Sequence, residues 1–145
     1  MENYIKLEFP SKSVNEGFAR NAIACFVAQL DPTLDELGDV KTAVSEAVTN
    51  AIVHAYPNNI GKITIRAKIK ADHSVEIVIR DYGLGIVDIE QAKTPMFTTG
   101  GNERSGMGFT IMESFMDKLR VRSVPGKGTV VTVQKRISMR AGQSK

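Results

Sequence analysis

Residues 62–81 set the tightest limit on what this chain can fold into. Ile63, Ile65, Ala67 and Ile69 alternate with other residues, as do Val75, Ile77 and Ile79, and Ala71-Asp-His-Ser74 separates the two runs. A period of two on each side of a turn signal predicts an antiparallel hairpin with its apolar side chains on one face. That face must be covered, and the flanking segments supply the cover. Phe18, Ala22, Cys25 and Phe26 recur at helical intervals up to about Leu30, behind Ser13-Val-Asn-Glu16, which has the spacing of a capping box. Thr33 and Glu36 repeat that spacing before Leu37, Val40, Val44, Ala47, Val48, Ala51 and Ile52, the stripe of a longer helix that should stop near Tyr56-Pro57.

Further elements extend the sheet. Ile5, Leu7 and Phe9 alternate before Pro10, which predicts a strand, and a strand pair is expected at Leu119-Arg-Val121 and Val130-Val-Thr-Val133 around Pro125-Gly-Lys-Gly128. A third helix is expected after Gly106. The order of strand, helix, helix, two strands, loop, helix and two strands predicts an α+β fold: a two-layer sandwich with a mixed, mostly antiparallel sheet and helices on one face. With 145 residues the chain is long enough for one core, so residues 1–136 are expected to form a single domain and the basic, aperiodic residues 137–145 a frayed tail.

Charge narrows the function classes. The 19 basic and 16 acidic residues are interspersed and sum to +3, which gives no electrostatic case for direct nucleic-acid binding. Apolar stretches fall far short of the ~20 residues a membrane span needs, and no basic-then-apolar leader is present, so no membrane partner and a cytoplasmic location are expected. The one cysteine, Cys25, cannot close an internal disulfide and reads as a small core residue.

Three segments could carry chemistry. Glu46, Asn50 and His54 are four residues apart, which aligns them along one flank of the long helix. The hairpin's second strand runs into Asp81-Tyr-Gly-Leu-Gly85, where glycines let a ligand approach the backbone and an aspartate could accept from the exocyclic amine of adenine. Arg104-Ser-Gly-Met-Gly108 lies at the start of the third helix, where free N–H groups favour phosphate. Each is common alone; the specific signal is their conjunction in this order.

Glu46-x-x-x-Asn50, Asp81-x-Gly-x-Gly85, Gly106-x-Gly108 and Gly128-Thr129 together resemble the nucleotide-binding boxes of the Bergerat-fold, or GHKL, ATPases and kinases, which include type II topoisomerases and histidine kinases. Within that superfamily, Ser45-Glu-Ala-Val-Thr-Asn-Ala51, Phe97-Thr-Thr99 and Arg104-Ser-Gly-Met-Gly-Phe-Thr-Ile-Met112 are similar to the anti-sigma kinases of spore-forming bacteria. The resemblance implies that Asn50 ligates Mg²⁺, Asp81 reads the adenine of ATP or ADP, and Gly83 and Gly85 shape its pocket. It implies further nucleotide contacts from Thr98, Thr99, Ser105, Gly106, Met107, Gly108 and Thr129, with residues 94–103 as the ATP lid. Glu46 would be the general base, and Arg104 would neutralise charge on the transferred phosphoryl group. His54 is read as a neighbour of the site and not as a catalyst.

The same resemblance implies a homodimeric anti-sigma factor and protein serine kinase. Such a protein holds the sporulation sigma factor, sigma F, away from RNA polymerase core and phosphorylates a serine of an anti-anti-sigma factor. Arg20 is the expected partner contact, although a solvated surface arginine fits its position as well. Two other classes use the same boxes: a nucleotide-gated binding module without catalysis, and a histidine-kinase catalytic domain.

Overall fold

A computed structural model describes residues 2–85 and 104–139, the side chains of residues 104–107 excepted. The elements are β1 (Tyr4–Pro10), α1 (Val14–Val27) with a 3₁₀ turn (Ala28–Leu30), and α2 (Leu34–Asn50) with a π turn (Ala51–Ala55). They continue with β2 (Lys62–Ile69), β3 (Ser74–Asp81), α3 (Arg104–Phe115), β4 (Lys118–Val124) and β5 (Gly128–Arg136). The strands form one sheet in the order β1-β2-β3-β5-β4, and every pairing is antiparallel. Where the sequence suggested a mixed sheet, the described residues contain no parallel pair.

Register explains the layering. Ile65 lies opposite both Leu7 and Ile79, Ile77 opposite both Ala67 and Val133, and Val133 opposite Leu119, so one face is a continuous apolar surface. Ile23, Val27, Val40, Val44, Val48 and Met112 are fully buried in the same cluster, which places the helices over that face. The opposite face has another character. Lys6, Lys62, Arg66, Lys68, Arg80, Arg120 and Arg122 all project from it, because they share the alternate strand parity. Glu8 and Glu76 share that parity, so the face is predominantly but not wholly basic.

Two expectations for α1 fail. Its buried residues are Ala19, Ile23, Ala24, Phe26 and Val27, whereas Phe18 is 61% exposed and Cys25 is exposed, so Cys25 is no core residue. The helix carries two apolar rows at helical spacing, and only the second meets the sheet. Ser13 forms no capping box either: its backbone is itself helical (φ −58°, ψ −30°), so its side chain makes no cap bond, and Glu16 pairs instead with Arg20 at 3.0 Å. The second capping box forms in full, with Thr33 N donating to Glu36 Oε1 at 2.9 Å and Glu36 N to Thr33 Oγ1 at 3.1 Å.

The packed chain also runs past residue 136. Ile137 is 1% exposed and its N–H donates to His73 O, while Ser138 N donates to Glu36 Oε2 at 2.9 Å. The expected fraying does not begin at 137, because an apolar side chain there completes the core.

Candidate nucleotide site

Glu46 and Asn50 sit one turn apart near the end of α2, held by Val44, Ala47, Val48 and Ala51, which are buried on the sheet side. The fifth residue of α3, Gly108, packs against them. A Cβ built on Gly108 would lie 3.1 Å from Asn50 Nδ2 and 3.3 Å from both Asn50 Oδ1 and Glu46 Oε1. The carboxylate and the amide thus converge on one point, and a larger residue would occupy it. Asn50 Nδ2 is buried with no hydrogen-bond partner among the described residues. An orphaned polar group of this kind costs stability unless a ligand satisfies it, so the residues fit a bound polar group. Which end of the amide is nitrogen follows from hydrogen bonding, and a cation would turn the oxygen toward itself.

After Asn50 the helix widens into the π turn, a form frequent at functional sites. Burial there depresses the His54 pKa, which keeps the ring neutral near neutral pH.

The second half of the site is the turn after β3. Asp81 is 7% exposed, and its Oδ1 accepts from Gly83 N at 3.0 Å and Thr129 N at 3.2 Å. Burial raises the Asp81 pKa above the usual aspartate range against those two donors. Among the described residues its Oδ2 accepts no hydrogen bond, which leaves an acceptor for a ligand's N–H. Gly128 has φ +130° and a Cβ there would overlap Asp81 O, so only glycine lets β5 pass this close. Gly85, at φ +78°, is pressed in the same way against the backbone of Val124 and Pro125. Thr129 Oγ1 lies 2.8 Å from Ser123 Oγ, a supporting residue that no motif revealed.

Of the residues expected at the site, the structure brings Glu46, Asn50 and Gly108 together, and separately Asp81, Gly83 and Thr129, with Gly85 in the same turn. Arg104, Ser105, Gly106 and Met107 form the first turn of α3, so the helix starts ahead of Gly106. Their side chains, the segment 94–103 and Thr98 and Thr99 within it lie outside the described residues. Arg20 lines an open groove of about 380 Å³ together with Lys41, Thr42, Ser45 and Glu46. No helix among the described residues is long and apolar enough to cross a membrane.

Comparison with known proteins places this geometry. Residues 9–135 match the family model of the histidine kinase-like ATPase domain. The anti-sigma F factor of Caldanaerobacter subterraneus is 58% identical over 136 residues, covering 93% of this chain and 94% of that protein. That of Bacillus subtilis is 54% identical over 140 residues, covering 95% of each. Among solved structures, the RsbU and RsbW domains from Mycobacterium tuberculosis superpose with a TM-score of 0.68 at 18% identity, over 93% of this chain and 32% of that one. A histidine kinase domain from a blue-light activated kinase of Erythrobacter litoralis gives 0.58 at 20% identity, over 84% and 65%. The chain belongs to the histidine kinase-like ATPase family and, within it, to the anti-sigma F factors.

Proposed function

We propose that this chain is a cytoplasmic, homodimeric anti-sigma factor that binds sigma F and, with Mg-ATP, phosphorylates a serine of an anti-anti-sigma factor. The observation that carries the kinase reading is the convergence of Glu46 Oε1 and the Asn50 amide on Gly108. Phosphoryl transfer needs a base for the attacking hydroxyl and a ligand for the cation that accompanies the phosphates, placed side by side. Asn50 would hold Mg²⁺, whose role when bound is to neutralise phosphate charge, while waters and phosphate oxygens complete its shell. Glu46 accepts the serine proton. Backbone N–H groups in the first turn of α3 face the phosphates with the positive end of the helix dipole, and Arg104 adds charge there. The Asp81 carboxylate takes the exocyclic N–H of adenine.

Arg20 and Glu46 line the same groove, which supports partner contact through Arg20: a docked acceptor would reach the base from that side. Glu46→Gln tests the assignment, because glutamine keeps size and hydrogen bonding and removes basicity. ATP binding should persist while acid-stable phosphoserine on the anti-anti-sigma protein falls by at least about a hundredfold. Unchanged transfer removes Glu46 as base, and lost ATP binding assigns it to the nucleotide instead.

A further inference from the structure

Tyr56 was visible in the sequence only as the end of the long helix, yet it occupies an unusual place. The β2–β3 ladder runs to the pair Ile63 and Asp81. The next pair would be Lys62 and Tyr82. There the Tyr56 hydroxyl intervenes: it donates to Lys62 O at 2.7 Å and accepts from Tyr82 N at 2.7 Å. One side chain thus replaces a rung of the ladder and holds β3 away from β2 immediately after the residue assigned to adenine. Tyr56 is 8% exposed, and its hydroxyl satisfies both backbone groups although Lys62 and Tyr82 are themselves exposed residues.

The preceding residue grips the same turn. Ala55 O accepts from Leu84 N at 3.1 Å, and Leu84 O accepts from Gly126 N at 2.7 Å. Gly83 lies directly against Ala55 O, leaving no space for a Cβ. The end of the helix that carries Asn50 is therefore bolted at two successive residues to the turn that carries Asp81. On the far side, a Cβ on Gly61 would overlap the Tyr56 ring, so the ring is fixed from behind as well.

We propose that Tyr56 is a positioning residue for base selectivity: its hydroxyl, wedged between Lys62 O and Tyr82 N, aims the Asp81 carboxylate at the 6-amino group of adenine. This rests on the reading of Asp81 as the adenine acceptor. Without the hydroxyl, Tyr82 N and Lys62 O close on each other or separate to admit water, and either change turns the peptide that follows Asp81. The change is felt by a base with a 6-amino donor and not by one with a 6-carbonyl.

Dissociation constants for ATP and for inosine triphosphate, measured on the full chain with Mg²⁺, separate the possibilities. The parent should prefer ATP. Tyr56→Phe should weaken ATP by about tenfold and leave inosine triphosphate within about twofold, so that selectivity collapses. Gly61→Ala, which displaces the same ring without touching the nucleotide, should reproduce the loss. Equal weakening of both nucleotides would make Tyr56 a purely structural residue, and retained selectivity in both variants would overturn the proposal. A parent chain without preference for ATP removes the adenine role of Asp81 and this proposal with it, whereas preference kept by Tyr56→Phe removes the proposal alone.

Discussion

Asp81 combines two demands that pull in opposite directions. Its carboxylate is buried, and burial raises its pKa despite the N–H groups of Gly83 and Thr129. The folded chain therefore holds that proton more tightly than the unfolded chain does. Between the ordinary aspartate pKa and the raised one, this group's contribution to stability grows as pH falls and is lost as pH rises. If Asp81 accepts from adenine as proposed, binding runs the other way, because only the ionised form offers a full acceptor. ATP affinity should thus decline on acidification above the pH at which an exposed aspartate titrates, while the melting temperature gains. Asp81→Asn isolates the two effects: its Oδ1 can still accept from Gly83 and Thr129, so thermal stability near neutral pH should be unchanged or higher. ATP affinity should fall by about ten- to a hundredfold in a direct titration. A large drop in melting temperature would make the carboxylate structural. Asp81 stands out in the sequence as an acidic strand end before glycines and Gly128 as part of a turn, whereas the close approach of Gly128 to Asp81 O is a tertiary contact. Ser123 and Tyr56 were not legible, because a hydroxyl that braces backbone across the sheet leaves no trace in spacing.

Among the elements, α2 shows what a sequence pattern can specify when local and tertiary demands agree. Its capping box satisfies two orphan donors of the helix start, and Glu36 does more, since its second oxygen takes Ser138 N. Burial alone would raise the Glu36 pKa, but the donors at Thr33 and Ser138 outweigh it and the net shift is downward. Its contribution is therefore present above the ordinary glutamate pKa and fades as pH falls through the depressed value. Thr33→Ala should cost about 1 kcal/mol in chemical denaturation, with nucleotide affinity intact because the cap is at the far end of the helix from Asn50. No loss of stability would mean that the helix start is held by Ser138 and its neighbours instead. In α1 the agreement breaks down. Val14, Phe18, Ala22 and Cys25 make one row at helical spacing and Ala19, Ile23, Phe26 and Leu30 another, and periodicity cannot say which row the sheet will choose. The π turn was equally hidden, since one extra residue in a helical turn rotates the side chains after it without changing composition.

For the molecule as a whole, the order of elements followed from the sequence, while the packing of α1 and the limits of the core did not. Ile137 lies one residue beyond β5 and is 1% exposed, bonded to the His73 backbone, and His73 Nε2 is 3.1 Å from Leu30 O. Lys135 adds a 3.4 Å contact to Asp39. The C-terminal strand thus ties the β2–β3 turn to the start of α2, on the side away from Asp81. Ile137→Ala should lower unfolding free energy by about 2–5 kcal/mol while the ATP dissociation constant measured below the transition stays within about twofold. A variant as stable as the parent would restore the boundary at 136.

The same architecture gives the molecule a polarity that its +3 net charge understates. Strand alternation turns Lys6, Arg66, Arg80, Arg120 and Arg122 outward together, with the apolar rows and the helices behind them. A flat anionic matrix meets one face of a protein at a time, so the chain should adsorb to a cation exchanger sheet-first and require more salt for release than a uniformly charged protein of equal net charge. Immobilised in that orientation, it would present α1, α2 and the nucleotide groove to solution.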